Sequence, residues 1–305
     1  MDILVFGAGS LGSLVGGLLA RAHDVTLVGR DPHVAAVNDD GLRITGVESA
    51  DVRPAATTDA TGASADLALV TVKAYDTEAA ARTLATGDYD AVCSLQNGMG
   101  NEDVLADAVD APVLAGTATY GARLVDPGHV EWTGRGTITV GAWRPADDAT
   151  TAERVAAAFR AAGLDAAATA DIRTRLWEKL AVNAAINPVT ALSRVENGAL
   201  TERPLAALAR TAAVETAGVA RAEGADLDDG TARDAAETVS RETARNRSSM
   251  LQDVTRGRRT EIDAINGYVV DRAAATGTSA PINRTLADLI RGWEAGAGVR
   301  PPGHE

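Results

Sequence analysis

The chain has 305 residues, 46% of them hydrophobic, which is enough for two domains with separate cores. Its formal net charge of −13 argues against a nucleic-acid partner, because phosphate groups would be repelled. The sequence contains no apolar run long enough to span a bilayer, and its start, "MDILVFGAGS", lacks the basic region of a signal peptide. We therefore expect a cytoplasmic protein with no membrane partner.

Predicted strands and helices alternate in the first half of the chain. Strands are predicted at residues 2–6, 24–29, 66–72 and 91–95 and near 112–116, and a helix at 10–22. Near-continuous apolar strands that alternate with helices favour a parallel, doubly wound α/β sheet of the Rossmann type. Residues 117–142 have Gly and Pro turns between short alternating runs, which predicts antiparallel strands that extend this sheet.

From about residue 169 onward the pattern becomes helical and rich in Ala, Arg and Glu. We therefore predict two domains, a Rossmann-type α/β domain at residues 1–168 and an all-α C-terminal domain at 169–305.

The motif "GAGSLG" follows the first predicted strand and opens the first helix. It comprises Gly7, Ala8, Gly9, Ser10, Leu11 and Gly12. In a dinucleotide-binding turn the first glycine makes the tight turn, the second lets the backbone approach a pyrophosphate, and the third permits close helix–sheet packing. The alternative is a purely structural glycine turn, but the strand–turn–helix context favours a dinucleotide site.

Arg30, just after the second predicted strand, bears on the choice of dinucleotide. NAD-binding proteins usually carry Asp or Glu here for the ribose 2′-hydroxyl, whereas a guanidinium favours a 2′-phosphate. The sequence therefore favours NADP. The alternative is that Arg30 is a solvated surface residue and that neighbouring Asp31 binds the ribose.

Lysine is scarce: the sequence has two lysines, Lys73 and Lys179, against 27 arginines. This bias, the acidic charge and only 3% aromatic residues are typical of a protein from a high-salt cytoplasm, although a GC-rich genome also favours Arg and Ala. Cys93 is the single cysteine, which excludes an intramolecular disulfide, and the four histidines have no metal-ligand spacing. We expect no metal site, and we expect the two retained lysines to have functional roles.

Lys73 is predicted to end the strand "LALVTVK", and Asn97 is predicted to lie at the carboxyl end of the next strand; ligands bind at this edge in doubly wound sheets. We expect both at the nicotinamide end of the ligand crevice. The alternative for Asn97, which precedes a glycine, is a simple turn residue.

The segment "WEKLAVNAAINPVTAL" places Lys179, Asn183 and Asn187 in one row on a helix face. Pro188 predicts that this helix kinks or ends there. Desolvation in an apolar helix favours the neutral form of lysine, which suits Lys179 to proton transfer, whereas arginine cannot give up its proton. The alternative is that Lys179 reaches solvent and pairs with Glu178.

A carboxylate that would tune this lysine is Glu261 in "GRRTEIDAINGYVV". Thr260 is predicted to be the N-cap, with Asp263 completing a capping box, so that Glu261 opens a helix. The alternative is an ordinary first-turn acid that only stabilises the helix. Upstream, the hydroxyls of Ser248 and Ser249 either bind a substrate carboxylate or cap a helix.

These motifs resemble those of the ketopantoate reductase (2-dehydropantoate 2-reductase) family over nearly the whole chain. The resemblance is carried by "GAGSLG", "VTVKAYD", "LQNGMG", "LWEKLAVNAAINPVTAL", "ENGAL" and "SSMLQDVTRGRRTEIDAINGYVV". It implies that Lys179 is the general acid and that Glu261 contacts the substrate hydroxyl and the lysine. It also implies further substrate contacts at Asn97, Asn183, Asn187, Asn197 and Ser249. The implied cofactor contacts are Arg30, Lys73 and Asn97. Asp76 departs from the family, which often has Gln at this position, so one cofactor contact is in question.

The resemblance also implies the reaction, an NADPH-dependent reduction of ketopantoate to (R)-pantoate in pantothenate and coenzyme A biosynthesis. The implied partner is a small-molecule substrate, and a homodimer is a possible assembly. Two alternatives stay open: a reductase of another 2-keto or 3-hydroxy acid, and a catalytically silent NADP-binding sensor.

Overall fold

A computed structural model describes residues 1–144 and 149–301, and it divides into two compact units. The first unit comprises Met1–Gln96 and Gly100–Ile172, and the second comprises Asn97–Met99 and Arg173–Glu305. The division at 172/173 lies close to the predicted boundary at 168/169, which stays a prediction. No pattern in the sequence predicts that Asn97–Met99 belongs to the second unit.

The strands of the first unit are, in chain order, β1 (Asp2–Phe6), β2 (Asp24–Val28), β3 (Leu42–Gly46), β4 (Ala50–Val52), β5 (Ala55–Thr57), β6 (Ser64–Val70), β7 (Asp88–Ser94), β8 (Val113–Ala118), β9 (Gly121–Asp126), β10 (His129–Gly134), β11 (Ile138–Ala142) and β12 (Ala166–Ala168). Its helices are α1 (Ser10–Leu19), α2 (His33–Asp40), α3 (Thr77–Leu84), α4 (Asn101–Ala108) and α5 (Ala149–Ala161).

The larger sheet has the order β12-β11-β8-β7-β6-β1-β2-β5 among the described residues. All neighbouring strands from β8 to β5 pair in parallel, and β11 pairs with β8 in antiparallel orientation. The last four residues of β6 and of β7 are buried, as expected for a parallel sheet covered on both faces. The Rossmann-type α/β prediction is therefore confirmed.

A smaller sheet, with the order β4-β3-β10-β9, corrects one prediction. Residues 117–142 do contain an antiparallel hairpin, but only β11 extends the main sheet, whereas β9 and β10 pair with each other and β10 pairs in parallel with β3. Val130 and Trp132 are buried on β10, and the sheet contacts α1. The alternating pattern in the sequence predicted these strands correctly, but it could not identify β3 as the distant partner of β10.

The second unit is helical, as predicted, and residues 173–301 contain no strand. Its helices are α6 (Ile172–Ser193), α7 (Leu205–Ala222), α8 (Asp229–Glu242), α9 (Ser249–Thr255), α10 (Tyr268–Thr276) and α11 (Pro281–Gly296). A 3₁₀ turn at Asn197–Thr201 and a π-helical turn at Asp263–Gly267 complete it. None of the helices in the described ranges has the length and apolar character needed to cross a membrane.

Candidate functional site

The glycine turn of the first unit has the geometry that its three glycines predicted. Gly7 has φ +120°, and a Cβ there would lie 2.6 Å from the Val72 backbone nitrogen. At Gly12 a Cβ would collide with the Gly7 carbonyl oxygen. At Gly9 it would meet no described atom within 4 Å. Gly7 and Gly12 are therefore required by the turn itself, and Gly9 leaves open space for a ligand to approach the backbone.

The turn is anchored to the end of β2, because the amides of Gly7 and Ala8 both donate to the Val28 carbonyl at 2.9 and 2.8 Å. Within the described residues, no side chain caps the start of α1, and the Ser10 hydroxyl instead accepts from the Leu124 amide at 3.0 Å. The first amides of α1, including that of Leu11, therefore point out of the start of the helix, which is also the positive end of the helix dipole. This open cradle fits the pyrophosphate of a dinucleotide.

Arg30 lies two residues beyond β2, and 87% of its side chain is exposed. Its Nη2 donates to Asp76 Oδ2 at 3.2 Å. The neighbouring Asp31 carboxylate accepts from the Ala35 amide at 3.2 Å, so it has a role at the start of α2. Asp31 and Arg30 are both exposed, but Asp31 already accepts a local hydrogen bond, whereas Arg30 presents a cation just after β2.

Lys73 is half-buried and lies three residues beyond the end of β6, so it does not end the strand as predicted. The backbone just before Lys73, at Val72, is held by Gln96, which sequence reasoning missed. The buried Gln96 amide donates to the Val72 carbonyl at 3.1 Å and to Thr77 Oγ1 at 2.7 Å. Gln96 therefore fixes the turn that carries Lys73, and the only sign of it in the sequence is its position next to Asn97.

Asn97 belongs to the second unit, where the structure brings it together with Glu261. The Asn97 Nδ2 donates to Glu261 Oε2 at 3.4 Å, and the Met99 amide donates to the Ala264 carbonyl at 3.1 Å. Glu261 is buried, with 6% exposure. A buried carboxylate that meets a side-chain amide provides an acceptor beside a donor, as a polar substrate requires.

Helix α6 carries Lys179, Asn183 and Asn187 in the predicted row, with about 6 Å of helix rise between successive members. Lys179 and Asn183 are half-buried, Asn187 is buried, and the Lys179 Nζ atom itself is buried. Glu178 pairs with Arg175 at 3.2 Å. The row therefore gives a buried ammonium group followed by two amides on one helix face.

The prediction that this helix kinks or ends at Pro188 is wrong for its end, because α6 continues to Ser193. Pro188 has no N–H for the carbonyl of Ala184, four residues earlier. The side chain of Asn266 supplies the missing donor, since its Nδ2 donates to the Ala184 carbonyl at 3.0 Å and to Asn283 Oδ1 at 2.9 Å. Asn266 is fully buried and was also missed by sequence reasoning.

Glu261 does not open a helix in the predicted way. The first helical residue is Asp263, in the π-helical turn, and the Thr260 hydroxyl accepts from the Ile262 amide at 3.2 Å. Asp263 forms no capping box, because its carboxylate instead binds Arg291 and Arg300.

Burial on its own would raise the pKa of Asp263, but the hydrogen bonds from Arg300 and Arg291 outweigh it and hold this pKa below its ordinary value. The turn beside Glu261 is therefore fixed by ion pairs. Such π turns occur frequently at functional sites.

Asn197 is buried at the start of the 3₁₀ turn, and its Nδ2 donates to Thr243 Oγ1 at 2.8 Å. The Thr243 hydroxyl itself donates to the Val239 carbonyl at 2.6 Å, so it must accept from the amide, which fixes the amide orientation. Asn197 Oδ1 is then a buried acceptor that has no hydrogen-bond partner among the described residues. A ligand hydroxyl would satisfy it.

The two serines at the start of α9 differ in environment. Ser248 is buried, caps α9 by accepting from the Leu251 amide at 3.1 Å, and lies 2.7 Å from Thr190 Oγ1. Ser249 is exposed. Capping therefore occupies Ser248, and Ser249 is the serine left available to a ligand.

A Rossmann-type sheet with an open glycine turn, followed by a helical unit with a half-buried lysine and a buried glutamate, fits a dinucleotide-dependent oxidoreductase. Residues 3–145 match the family model described as "Ketopantoate reductase PanE/ApbA", and residues 171–294 match the model of its C-terminal part. The chain therefore belongs to the ketopantoate reductase family.

Two similar proteins carry the name of this family, and a third is a dehydrogenase with another name. A 2-dehydropantoate 2-reductase of Archaeoglobus fulgidus is 45% identical over 96% of this chain and 98% of its own length. The crystal structure of a PanE/ApbA family ketopantoate reductase from Ralstonia eutropha JMP134 matches with a TM-score of 0.89 and 35% identity, covering 98% of this chain and 100% of that one. The ternary structure of D-mandelate dehydrogenase with NADH and anilino(oxo)acetate matches with a TM-score of 0.92 and 25% identity. This match covers 98% of this chain and 100% of that one.

Proposed function

We propose that this protein uses NADPH to reduce the C2 carbonyl of 2-dehydropantoate, which gives (R)-pantoate for pantothenate and coenzyme A biosynthesis. The observation that carries the proposal is the 45% identity to a 2-dehydropantoate 2-reductase along nearly the full length of both chains. The Lys179 ammonium group and the Glu261 carboxylate of the second unit, both buried, support it, because a silent nucleotide sensor would not need them. The expectation of a cytoplasmic protein with a small-molecule partner is part of the proposal, and a homodimer stays a prediction.

In this proposal the first unit binds the cofactor. The backbone between Gly7 and Gly12 holds the pyrophosphate, Arg30 binds the 2′-phosphate, and Lys73 contributes a further cofactor contact. When bound, NADPH supplies the hydride that is added to the carbonyl carbon. The open space at Gly9 and the exposed Arg30 guanidinium support these assignments.

Lys179 is the proposed general acid, and it donates a proton to the carbonyl oxygen as negative charge develops there. A positioned general acid typically contributes about 10²–10⁴-fold to the rate. An arginine would keep the positive charge but could not transfer the proton. This difference explains why lysine is retained at position 179 in a chain that otherwise uses arginine almost throughout.

Glu261 and the asparagines are proposed to orient the substrate around Lys179. Glu261 accepts a hydrogen bond from the substrate hydroxyl, and Asn97 donates beside Glu261. Asn183, Asn187 and Ser249 bind the remaining polar groups of the substrate. The buried Asn197 Oδ1 is suited to accept from a substrate hydroxyl, because it has no partner among the described residues. A substrate without that hydroxyl would leave the acceptor unsatisfied and would bind more weakly.

Arg30 supports NADPH as the preferred cofactor. Losing one charge-assisted hydrogen bond between an arginine and a phosphate costs about 1.5–3 kcal/mol, or roughly 10- to 100-fold. Arg30→Ala should therefore weaken NADPH binding by that factor and leave NADH binding nearly unchanged. Equal affinity for both cofactors in the native protein, unaltered by Arg30→Ala, would contradict this part of the proposal.

A second candidate function is the reduction of another 2-oxo acid, which the likeness to D-mandelate dehydrogenase favours. That protein acts on a 2-hydroxy acid and its structure contains NADH. The two candidates share the chemistry at C2 and differ in the substrate group that the second unit must recognise.

The discriminating experiment measures NADPH oxidation at saturating cofactor with ketopantoate and, in parallel, with 2-oxoisovalerate, which lacks the hydroxyl. We expect kcat/KM to be at least about 100-fold higher for ketopantoate, because a site built to bind a hydroxyl discriminates strongly against an analogue without it. Equal values would favour the second candidate. The assay should be run at low and at molar KCl, since a high-salt protein needs screening of its charge.

A further inference from the structure

The ion pair between Arg30 and Asp76 lies where the first unit is proposed to bind the 2′-phosphate. Its single contact joins Arg30 Nη2 and Asp76 Oδ2 at 3.2 Å, and the two side chains are 87% and 36% exposed. Both groups can therefore be reached by a ligand. A phosphate that binds Arg30 must therefore approach the Asp76 carboxylate, which already neutralises part of the positive charge of Arg30.

Asp76 directs its carboxylate towards Arg30 although it has a local alternative. It is the N-cap of α3, a position where Asp usually accepts from the first amides of the helix. Within residues 1–144 and 149–301, however, its side chain makes no capping hydrogen bond to α3. Its backbone amide donates to the Lys73 carbonyl at 2.8 Å, which ties it to the turn that carries the other proposed cofactor contact.

We propose that Asp76 is a specificity-determining residue that weakens the discrimination between NADPH and NADH. This inference rests on the proposed function and concerns the same cofactor site. The carboxylate competes with a 2′-phosphate for Arg30 and repels it, since the phosphate carries a charge of about −1.5 to −2. With NADH, the same carboxylate accepts a hydrogen bond from the ribose 2′-hydroxyl, as acidic residues do in proteins that bind NAD. The protein therefore binds both cofactors. Its affinity for NADPH exceeds its affinity for NADH by a smaller factor than Arg30 alone would give.

The size of the effect follows from charge and distance. Coulomb's law in water, for a carboxylate about 6 Å from a phosphate of charge about −2, gives roughly a 3- to 10-fold change in affinity. Because both groups are exposed, salt screens this repulsion, and the screening length falls from about 10 Å at 0.1 M to about 3 Å at 1 M. The contribution of Asp76 is therefore largest at low salt.

The test measures the dissociation constants of NADPH and NADH by fluorescence titration without substrate, for the native protein and for Asp76→Asn. The matched control is Glu78→Gln. Glu78 is an exposed acid in the first turn of the same helix, and it pairs with Arg82 at 3.7 Å. Both variants remove one negative charge, but only the first removes the partner of Arg30. Adenosine 2′,5′-bisphosphate and 5′-AMP, titrated in the same way by calorimetry, isolate the contribution of the 2′-phosphate.

In about 20 mM salt we expect Asp76→Asn to raise the NADPH-over-NADH affinity ratio by about 3- to 10-fold and Glu78→Gln to leave it unchanged. In 1 M KCl the increase should fall below about 2-fold. An unchanged or lower ratio in Asp76→Asn, or an equal rise in Glu78→Gln, would overturn the inference while the proposed function stands. A native protein that binds neither dinucleotide would overturn the proposed function itself.

Discussion

Asn266→Ala is the substitution that most directly probes how the second unit supports α6 at Pro188. In the native protein the Asn266 amide donates to the Ala184 carbonyl and to Asn283 Oδ1 at 3.0 and 2.9 Å. Alanine removes both donors and leaves two buried acceptors without those bonds. Each costs about 1–3 kcal/mol, so the free energy of unfolding should fall by about 2–6 kcal/mol. Removal of Asn266 Oδ1, a buried acceptor with no partner in the described part of the chain, offsets part of this cost, so the loss should lie in the lower half of this range.

The assay is thermal unfolding followed by calorimetry, with the transition of the second unit analysed separately if the two units do not melt together. For a unit of this size a loss of that magnitude lowers Tm by on the order of 10 °C. The control is Asn38→Ala, because Asn38 also donates to a backbone carbonyl, that of Ala56 at 2.9 Å, but in an exposed position. Asn38 Oδ1 also accepts from the Ala56 amide at 3.0 Å, and water can replace both exposed bonds, so their loss should cost less than about 1 kcal/mol.

Asn266→Asp sharpens the test, since the carboxylate has nearly the same shape but cannot donate when it is ionised. It should destabilise the protein at least as much as the alanine variant. The reasoning is refuted if Asn266→Ala melts within about 2 °C of the native protein, or if Asn38→Ala loses as much stability. Loss of activity alone does not decide the matter, because α6 also carries the proposed general acid.

Two further predictions concern charge. The lowered pKa of Asp263 means that its ionised form stabilises the native state above its unfolded pKa of about 3.9, and that this stabilisation is lost as the pH falls below about 4. Below about pH 5 the Tm of the native protein should therefore fall more steeply than that of Asp263→Asn, and equal slopes would show that Asp263 contributes nothing. The net charge of −13 predicts self-repulsion that salt screens, so Tm should rise from low to molar KCl; a flat Tm would count against adaptation to high salt, though not against the function.

The elements that the sequence predicted well are those whose signal is local. The strand–turn–helix at the start follows from a short apolar strand and three glycines, and the structure gives β1, Gly7 at positive φ and α1 in that order. The row on α6 follows from helical spacing alone. The predicted residue roles depend on the family resemblance and stay predictions.

Features that depend on distant contacts were not predictable. The sequence shows that residues 121–134 alternate, but nothing in it identifies β3 as the partner of β10. Pro188 predicts a break in the helix by its local chemistry, and the side chain that donates to the carbonyl left without a backbone N–H lies 78 residues further on, at Asn266. The pairing of Arg30 with Asp76 joins residues 46 positions apart, so the motif around either residue gives no sign of it. In each case the deciding interaction is tertiary.

The proposal as a whole depends on Lys179 acting as a proton donor during ketopantoate reduction, and one comparison tests this most directly. It measures NADPH oxidation and (R)-pantoate formation by the native protein and by Lys179→Arg, with the NADPH dissociation constant of each determined separately. We expect the native protein to turn over. The variant should fold and bind NADPH with unchanged affinity, but its kcat should fall by about 10²–10⁴-fold, because arginine keeps the charge and cannot give up the proton. A variant with near-native kcat, or a native protein that forms no pantoate, would contradict the account.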